Sequence, residues 1–151
     1  MRTFIAAVVA AAVQASDAKF PAYAAKQGEA NQNFTPLQVT EDGVSKTKYI
    51  ASDACTSSGS TYTCPGTGGR GYIIDDANFD RSNPNFWTPN LLGGSVEWDA
   101  DMSQHECGCF NTFYTVAMPG RDNGGGLWTA DDFFYCDGNQ VGGDYCPEFD
   151  L

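Results

Sequence analysis

Histidine is almost missing from this chain, with His105 the single one in 151 residues. A Ser/His/Asp arrangement would have to be built on it, yet His105 abuts Glu106 and Cys107 at an expected strand end, the usual setting of a surface imidazole. Zinc is not expected either, because no Cys-x-x-Cys or His-x-x-x-His set accompanies Cys107 and Cys109. Basic residues are scarce, 8 Lys and Arg against 19 Asp and Glu, for a net charge of -11. From Glu97 onward the only base is Arg121. Nucleic acid is therefore not an expected partner, and the charge serves mainly solubility. Long apolar runs are missing beyond the first residues, and that one is shorter than the roughly 20 residues a membrane-crossing helix needs. Helical periodicity of useful length appears nowhere outside it.

The apolar run itself is informative. Arg2 precedes an uncharged stretch from Thr3 to Val13, and Val13-Gln14-Ala15 or Ser16-Asp17-Ala18 supplies a small-residue cleavage site. Residues 1–18 read as a secretory signal peptide, leaving 19–151 as one exported, extracellular domain with no membrane association. Asn33-Phe34-Thr35 is a glycosylation sequon, which suits an exposed segment of such a protein. Six cysteines in an exported chain are read first as disulfides. Cys55 and Cys64 enclose a Ser/Thr/Gly segment, and Cys136 and Cys146 enclose Asp137-Gly138-Asn139 and Gly142-Gly143, so each pair can close a turn-rich loop. A bridge across Cys107-Gly108-Cys109 would be strained, so these two want distant partners. Asp75, Asp76, Asp80, Asp131 and Asp132 are acid-rich, but no stretch has the spacing of a calcium-binding EF-hand. No metal or cofactor is expected.

The pattern along the chain is all-β. Lys19 to about Tyr49 reads as a polar, extended lead-in with one edge strand, followed by a disulfide-closed loop feeding the run Tyr72-Ile73-Ile74. From Ser95 to Ser103, Val96, Trp98, Ala100 and Met102 alternate with Glu97, Asp99, Asp101 and Ser103, which predicts a strand with one buried face and solvated acids on the other. Phe110 to Met118 carries apolar residues on both faces and fits a strand central to a sandwich. Asp122-Asn123-Gly124-Gly125-Gly126 predicts the turn after it.

The last residues carry the candidate chemistry. In a strand, Glu148 and Asp150 share a face at roughly 6.6 to 6.8 Å, with Phe149 turned behind them. Two acids can then act on one substrate, and neighbouring like charge raises one carboxyl's pKa. Spacing alone equally fits a solvated strand edge. Trp98 belongs to the core by its alternation. Trp87 and Trp128, flanked by Pro, Gly and Asn, are the rings better placed to meet a sugar face.

Several segments together resemble glycoside hydrolase family seven. Leu91 to Ser103, then Cys107-Gly108 and Phe113-Tyr114-Thr115-Val116-Ala117-Met118, are similar to that family's acidic strand, Cys-Gly and Leu-Tyr-Phe-Val-Ser-Met strand. Tyr135-Cys136-Asp137 and Cys146-Pro147-Glu148-Phe149-Asp150-Leu151 resemble its Tyr-Cys-Asp and the start of its Cys-x-Glu-x-Asp-x-x-Glu signature. Glycoside hydrolase family sixteen shares the Glu-x-Asp core and is the nearest rival, while the Cys before Glu148 favours family seven. The resemblance covers Leu91 onward. It implies a concanavalin A-like β-sandwich, or jelly roll, that is incomplete here and cleaves β-1,4-glucan with retention. Glu148 would be the nucleophile, Asp150 its tuning neighbour, Tyr114 a groove residue and Cys136 the partner of Cys146. Cys107 would pair with a cysteine that this chain lacks. The family places its acid/base five residues after the nucleophile, beyond Leu151, and because five is odd a β-bulge must re-aim it. The expectation is a β-glucan hydrolase truncated within its motif and inactive as it stands. The alternative is a non-catalytic carbohydrate-binding protein on the same lectin-like sandwich.

Overall fold

The computed structural model describes residues 7–14, 33–52, 55–64, 69–80, 82–101, 103, 109–128, 133–140 and 145–150. Among them are eight strands and no helix: β1 (Ala7–Gln14), β2 (Asn33–Glu41), β3 (Val44–Ser52), β4 (Thr56–Ser58), β5 (Thr61–Thr63), β6 (Gly69–Ile74), β7 (Cys109–Val116) and β8 (Glu148–Asp150). The all-β class expected from the residue pattern is what the chain adopts. Six strands form one sheet in the order β2-β3-β6-β1-β7-β8, and β4 pairs with β5 in a second, two-stranded sheet. Every strand pairing is antiparallel.

Turn chemistry explains the first hairpin, which the residue pattern had not suggested. The expected lead-in with one edge strand is instead a long β2–β3 pair running from Asn33 opposite Ser52 to Glu41 opposite Val44. Asp42 (φ 53°) and Gly43 (φ 76°) both take the left-handed conformation, as the two-residue turn that matches strand twist requires. Pro36 has no N–H to give a ladder, and edge strand β2 is where that is tolerated. The β4–β5 hairpin covers this edge: Gln38 donates its N–H to the Gly59 carbonyl at 2.8 Å, and Ser57 donates its hydroxyl to the Pro36 carbonyl at 2.7 Å. An edge covered in this way cannot template pairing with another chain.

Both faces of the sheet are packed. On one, Tyr72, Ile74, Tyr114 and Val116 meet Phe86, Met118, Phe133 and the Cys136 and Cys146 side chains. The Tyr72 and Phe133 rings stack at 4.7 Å, and Phe79 abuts Phe133 at 5.2 Å. On the other, Leu37, Ile50, Ile73 and Trp87 form a smaller cluster joined by Val39, Tyr62 and Phe113. Ile50 and Ile74 are fully buried, and removing such a side chain typically costs about 2 to 5 kcal/mol. Tyr62 reaches its position because Gly71 opposite has no side chain: a Cβ there would collide with the Tyr62 hydroxyl.

The expected strand over Ser95–Ser103 does not form. Residues 94–101 make no ladder, Glu97, Asp99 and Asp101 are exposed, and Trp98 is 44% exposed with its ring stacked 4.5 Å from Phe113. Alternation sets which face a strand would bury. Pairing still requires a neighbouring strand edge, and the described residues place none beside this segment.

A charged clasp fixes β2 to β3 above the second cluster. The Lys48 ammonium lies between the Glu41 and Asp75 carboxylates, Lys46 also pairs with Glu41, and the Trp87 indole N–H donates to Glu41 at 3.1 Å. Glu41 is held below the usual carboxylate range, first by the Lys46 bond and then by Trp87. A depressed carboxyl contributes stability above its unfolded pKa and loses it as pH falls through the folded one. Glu41→Gln should therefore destabilise by under about 1 kcal/mol near neutrality, because the pair is partly exposed. In thermal unfolding, the difference from wild type should vanish on acidification.

Ala7–Gln14, inside the run expected to be a leader, pairs along β7 from Ala7 opposite Val116 to Gln14 opposite Cys109, and with β6 from Val9 opposite Tyr72 to Ala12 opposite Gly69. Ala10→Pro removes an N–H from a strand bonded on both sides. Hydrogen exchange at β6 and β7 amides should accelerate in that variant. Unchanged exchange would mean that residues 7–14 are absent from the folded protein.

Candidate functional site

The candidate acids enter the fold through edge strand β8. Glu148 lies opposite Val116 and Asp150 opposite Tyr114. Directly opposed residues point to the same face, so Glu148, Asp150, Tyr114 and Val116 share one side of the sheet. Val9 connects this row to Tyr72, being opposite both Tyr114 and Tyr72. Arg70, two residues before Tyr72, is on the same face. Phe149 turns the other way and is 63% exposed. The structure thus puts Glu148, Asp150 and Tyr114 on one face, with Arg70 and Tyr72 from β6. Tyr114, expected to line a groove, is a correction: it is buried in the larger core with its hydroxyl spent on Tyr135.

A disulfide-closed loop roofs this face. Cys136 and Cys146 are bridged, with Cα atoms 5.3 Å apart, and Cys55 and Cys64 are bridged at 4.2 Å. Both pairs are those expected from the loop composition, and such bridges suit an oxidising compartment. The Asp137 carbonyl accepts the Cys146 N–H at 3.0 Å, and Asp137 bridges to Tyr145. Gly120 clamps the roof from behind by donating to the Phe134 carbonyl at 2.7 Å and accepting the Trp128 N–H at 2.9 Å. A Cβ at Gly120 would stand 2.9 Å from that Phe134 oxygen and 3.1 Å from Cys136 Cβ, so only glycine fits. Phe134 is buried with φ 55°, an unfavourable conformation for a bulky residue that the surrounding contacts impose.

Under the roof runs a chain of hydroxyls. The Tyr135 hydroxyl donates to Asp137 Oδ2 at 2.7 Å and lies 2.9 Å from the Tyr114 hydroxyl. Since Tyr135 has one proton to give, Tyr114 is the donor between the two rings. The Arg70 guanidinium sits 3.6 Å over the Tyr135 ring, a favourable cation–π geometry. Burial pushes the Tyr114 hydroxyl above its ordinary pKa. Glu148 is half-buried, and its Oε2 accepts the Gly138 N–H at 2.8 Å. Its carboxyl is raised, first by burial; the Gly138 bond opposes this, while Asp150 and Asp137 push it further up.

The remaining expected site residues fall elsewhere. Trp87 is a correction: it is only 9% exposed, packs with Leu37, Ile50 and Ile73 and gives its N–H to Glu41, so its ring is spent on the core. Trp128 is half-buried beside Gly120. Asn33 opens β2 opposite Ser52. Cys109 begins β7, while Cys107, His105, Asp131 and Asp132 lie outside the described residues. Asp75 pairs with Lys48, and Asp76 and Asp80 accept the N–H groups of Asn78 and Ser82. No group of three potential metal ligands is present among the described residues.

Sequence reasoning missed Arg70, Tyr135, Asp137 and Gly138 as members of this cluster. A signal existed in Tyr135-Cys136-Asp137, where the first and third residues of an extended segment share a side and the middle one faces a disulfide partner. Comparison with known protein families, curated proteins and solved structures finds no match.

Gly138→Ala would place a Cβ 3.1 Å from Glu148 Oε2. The carboxylate should move off the Gly138 N–H, a bond that favours its ionised form. A ¹³C-carboxyl NMR titration should then show a higher midpoint for Glu148 than in wild type.

Proposed function

We propose that this chain belongs to a secreted, retaining β-glucan hydrolase of the cellulase type, with Glu148 as nucleophile and Asp150 as the neighbour that tunes it. The observation that carries this reading is the state of Glu148: half-buried, fixed by one backbone N–H and flanked by Asp150, with the Tyr114 ring buried on the same side of the sheet. A nucleophilic carboxylate must be aimed and partly desolvated, and retaining glycosidases use such a group to form a covalent glycosyl intermediate. The resemblance of the 135–137 and 146–151 segments to family seven supplies the substrate class, a neutral β-1,4-linked glucan. The two disulfides support an extracellular setting.

In the reaction, a Glu148 oxygen attacks the anomeric carbon as the glycosidic C–O bond breaks, and the departing oxygen takes the bonding electron pair. A natural sugar leaving group needs a proton from an acid. A dinitrophenolate does not, so the nucleophile can be tested without that acid.

One feature favours the non-catalytic carbohydrate-binding alternative: the Trp98 ring, stacked on Phe113 and 44% exposed, is available to a sugar face. The full chain incubated with 2,4-dinitrophenyl 2-deoxy-2-fluoro-β-cellobioside separates the two. Stoichiometric dinitrophenolate release and a mass increase located on Glu148 are expected, rising with pH as the raised carboxyl ionises and absent in Glu148→Gln. No labelling together with retention on insoluble cellulose would favour the binding protein.

A further inference from the structure

The proposed reaction leaves one carboxylate of the cluster without a task. Asp137 is 3% exposed, deeper than either Glu148 or Asp150. Two donors converge on its carboxylate: the Tyr135 hydroxyl on Oδ2 at 2.7 Å and the Asn139 N–H on Oδ1 at 3.0 Å. The side chain is therefore anchored from both ends, and Tyr135 is itself backed by the Tyr114 hydroxyl.

The main chain beside it is held as firmly. A peptide unit is planar, so fixing its carbonyl fixes the direction of its N–H. The peptide between Asp137 and Gly138 presents its carbonyl to the Cys146 N–H at 3.0 Å and its N–H to Glu148 Oε2 at 2.8 Å. Cys146 is tethered by the disulfide to Cys136, the residue before Asp137. One peptide unit thus connects the buried Tyr114–Tyr135–Asp137 chain to the candidate nucleophile.

We propose that Asp137 is a positioning residue for Glu148: anchored by Tyr135, it aims the Gly138 N–H at Glu148 Oε2 while its own negative charge opposes a second charge there. The inference rests on Glu148 being the nucleophile and adds the residue that sets its aim and proton affinity. Among the described residues, the charged and titratable groups facing Glu148 are Asp150 on its own strand, Asp137 on the roof and Tyr114 on β7. Arg70 on β6 faces Tyr114 and Tyr135.

The two effects of Asp137 have opposite signs, so they can be separated. Asp137→Asn removes the opposing charge, and the Glu148 titration midpoint should fall by roughly half a unit. Tyr135→Phe keeps the charge and the ring under Arg70 but releases the anchor. The Gly138 N–H then loses its aim, and the midpoint should rise. A purely scaffolding role would loosen the loop in both variants and move both midpoints upward.

The measurement is a ¹³C-carboxyl NMR titration of the full chain, with the Glu148 resonance identified by its loss in Glu148→Gln. Midpoints that split downward in Asp137→Asn and upward in Tyr135→Phe support the proposal. Unchanged midpoints, or a shift in the same direction in both, overturn it. Should Asp137→Asn fail to fold, Asp137→Ser, which also removes the charge, takes its place in the same comparison: a fall beside the Tyr135→Phe rise supports, and no change or a rise in both overturns. Fluoroglycoside labelling keeps this test apart from the catalytic reading. Labelled wild type with unsplit midpoints overturns the role of Asp137 alone, and split midpoints without labelling remove the nucleophile while the positioning contact stands.

Discussion

Strand β7 must satisfy its neighbours on four sides at once. Its backbone is paired to β1 along one edge and to β8 along the other. Its side chains serve both cores, Tyr114 and Val116 in the larger and Phe113 beside the smaller. A strand with two buried faces and two paired edges has no slack in register, because a one-residue slip would exchange its faces. That constraint places Glu148 and Asp150. They lie where they do because β8 takes its register from Val116 and Tyr114.

What was legible in the residues was whatever their immediate neighbours decide. Apolar residues on both sides of Phe110–Met118 marked a central strand, and the Tyr72-Ile73-Ile74 run marked β6. Cysteines enclosing turn residues marked both disulfides. Asp122 and its glycines marked a turn that closes as expected, with the Asp122 carboxylate accepting the N–H groups of Gly124 and Gly126 at 2.9 and 2.8 Å. Asp42-Gly43 was equally local, and its hairpin was overlooked only because the surrounding composition is polar.

The remainder depends on residues that meet across the fold. The alternation at Ser95–Ser103 was sound as a pattern, but a strand exists only where another edge receives it. Trp87 has turn formers beside it in sequence, while in space it has Glu41 above and Ile50 below. Asp137 could not be recognised as a neighbour of Glu148 from spacing, since the disulfide and the Tyr135 bond are what fold that loop over β8. The site is accordingly less a pair of acids on a strand than three carboxylates of graded burial, Asp137 deepest and Asp150 outermost, with one amide proton directed at the middle one.

The position of β1 carries a consequence for the order of assembly. Its two partners, β6 and β7, lie far downstream in the chain and do not pair with each other. A ribosome emits residues 7–14 long before either docking edge exists, so this segment has to remain extended and unclaimed while β2 and β3 close their hairpin locally. Non-local pairings of this kind form slowly, because loop closure must be completed before contacts reward it. The middle of the sheet is then the last part to be joined, and an early-emerging apolar segment stays accessible to export or folding machinery throughout that interval.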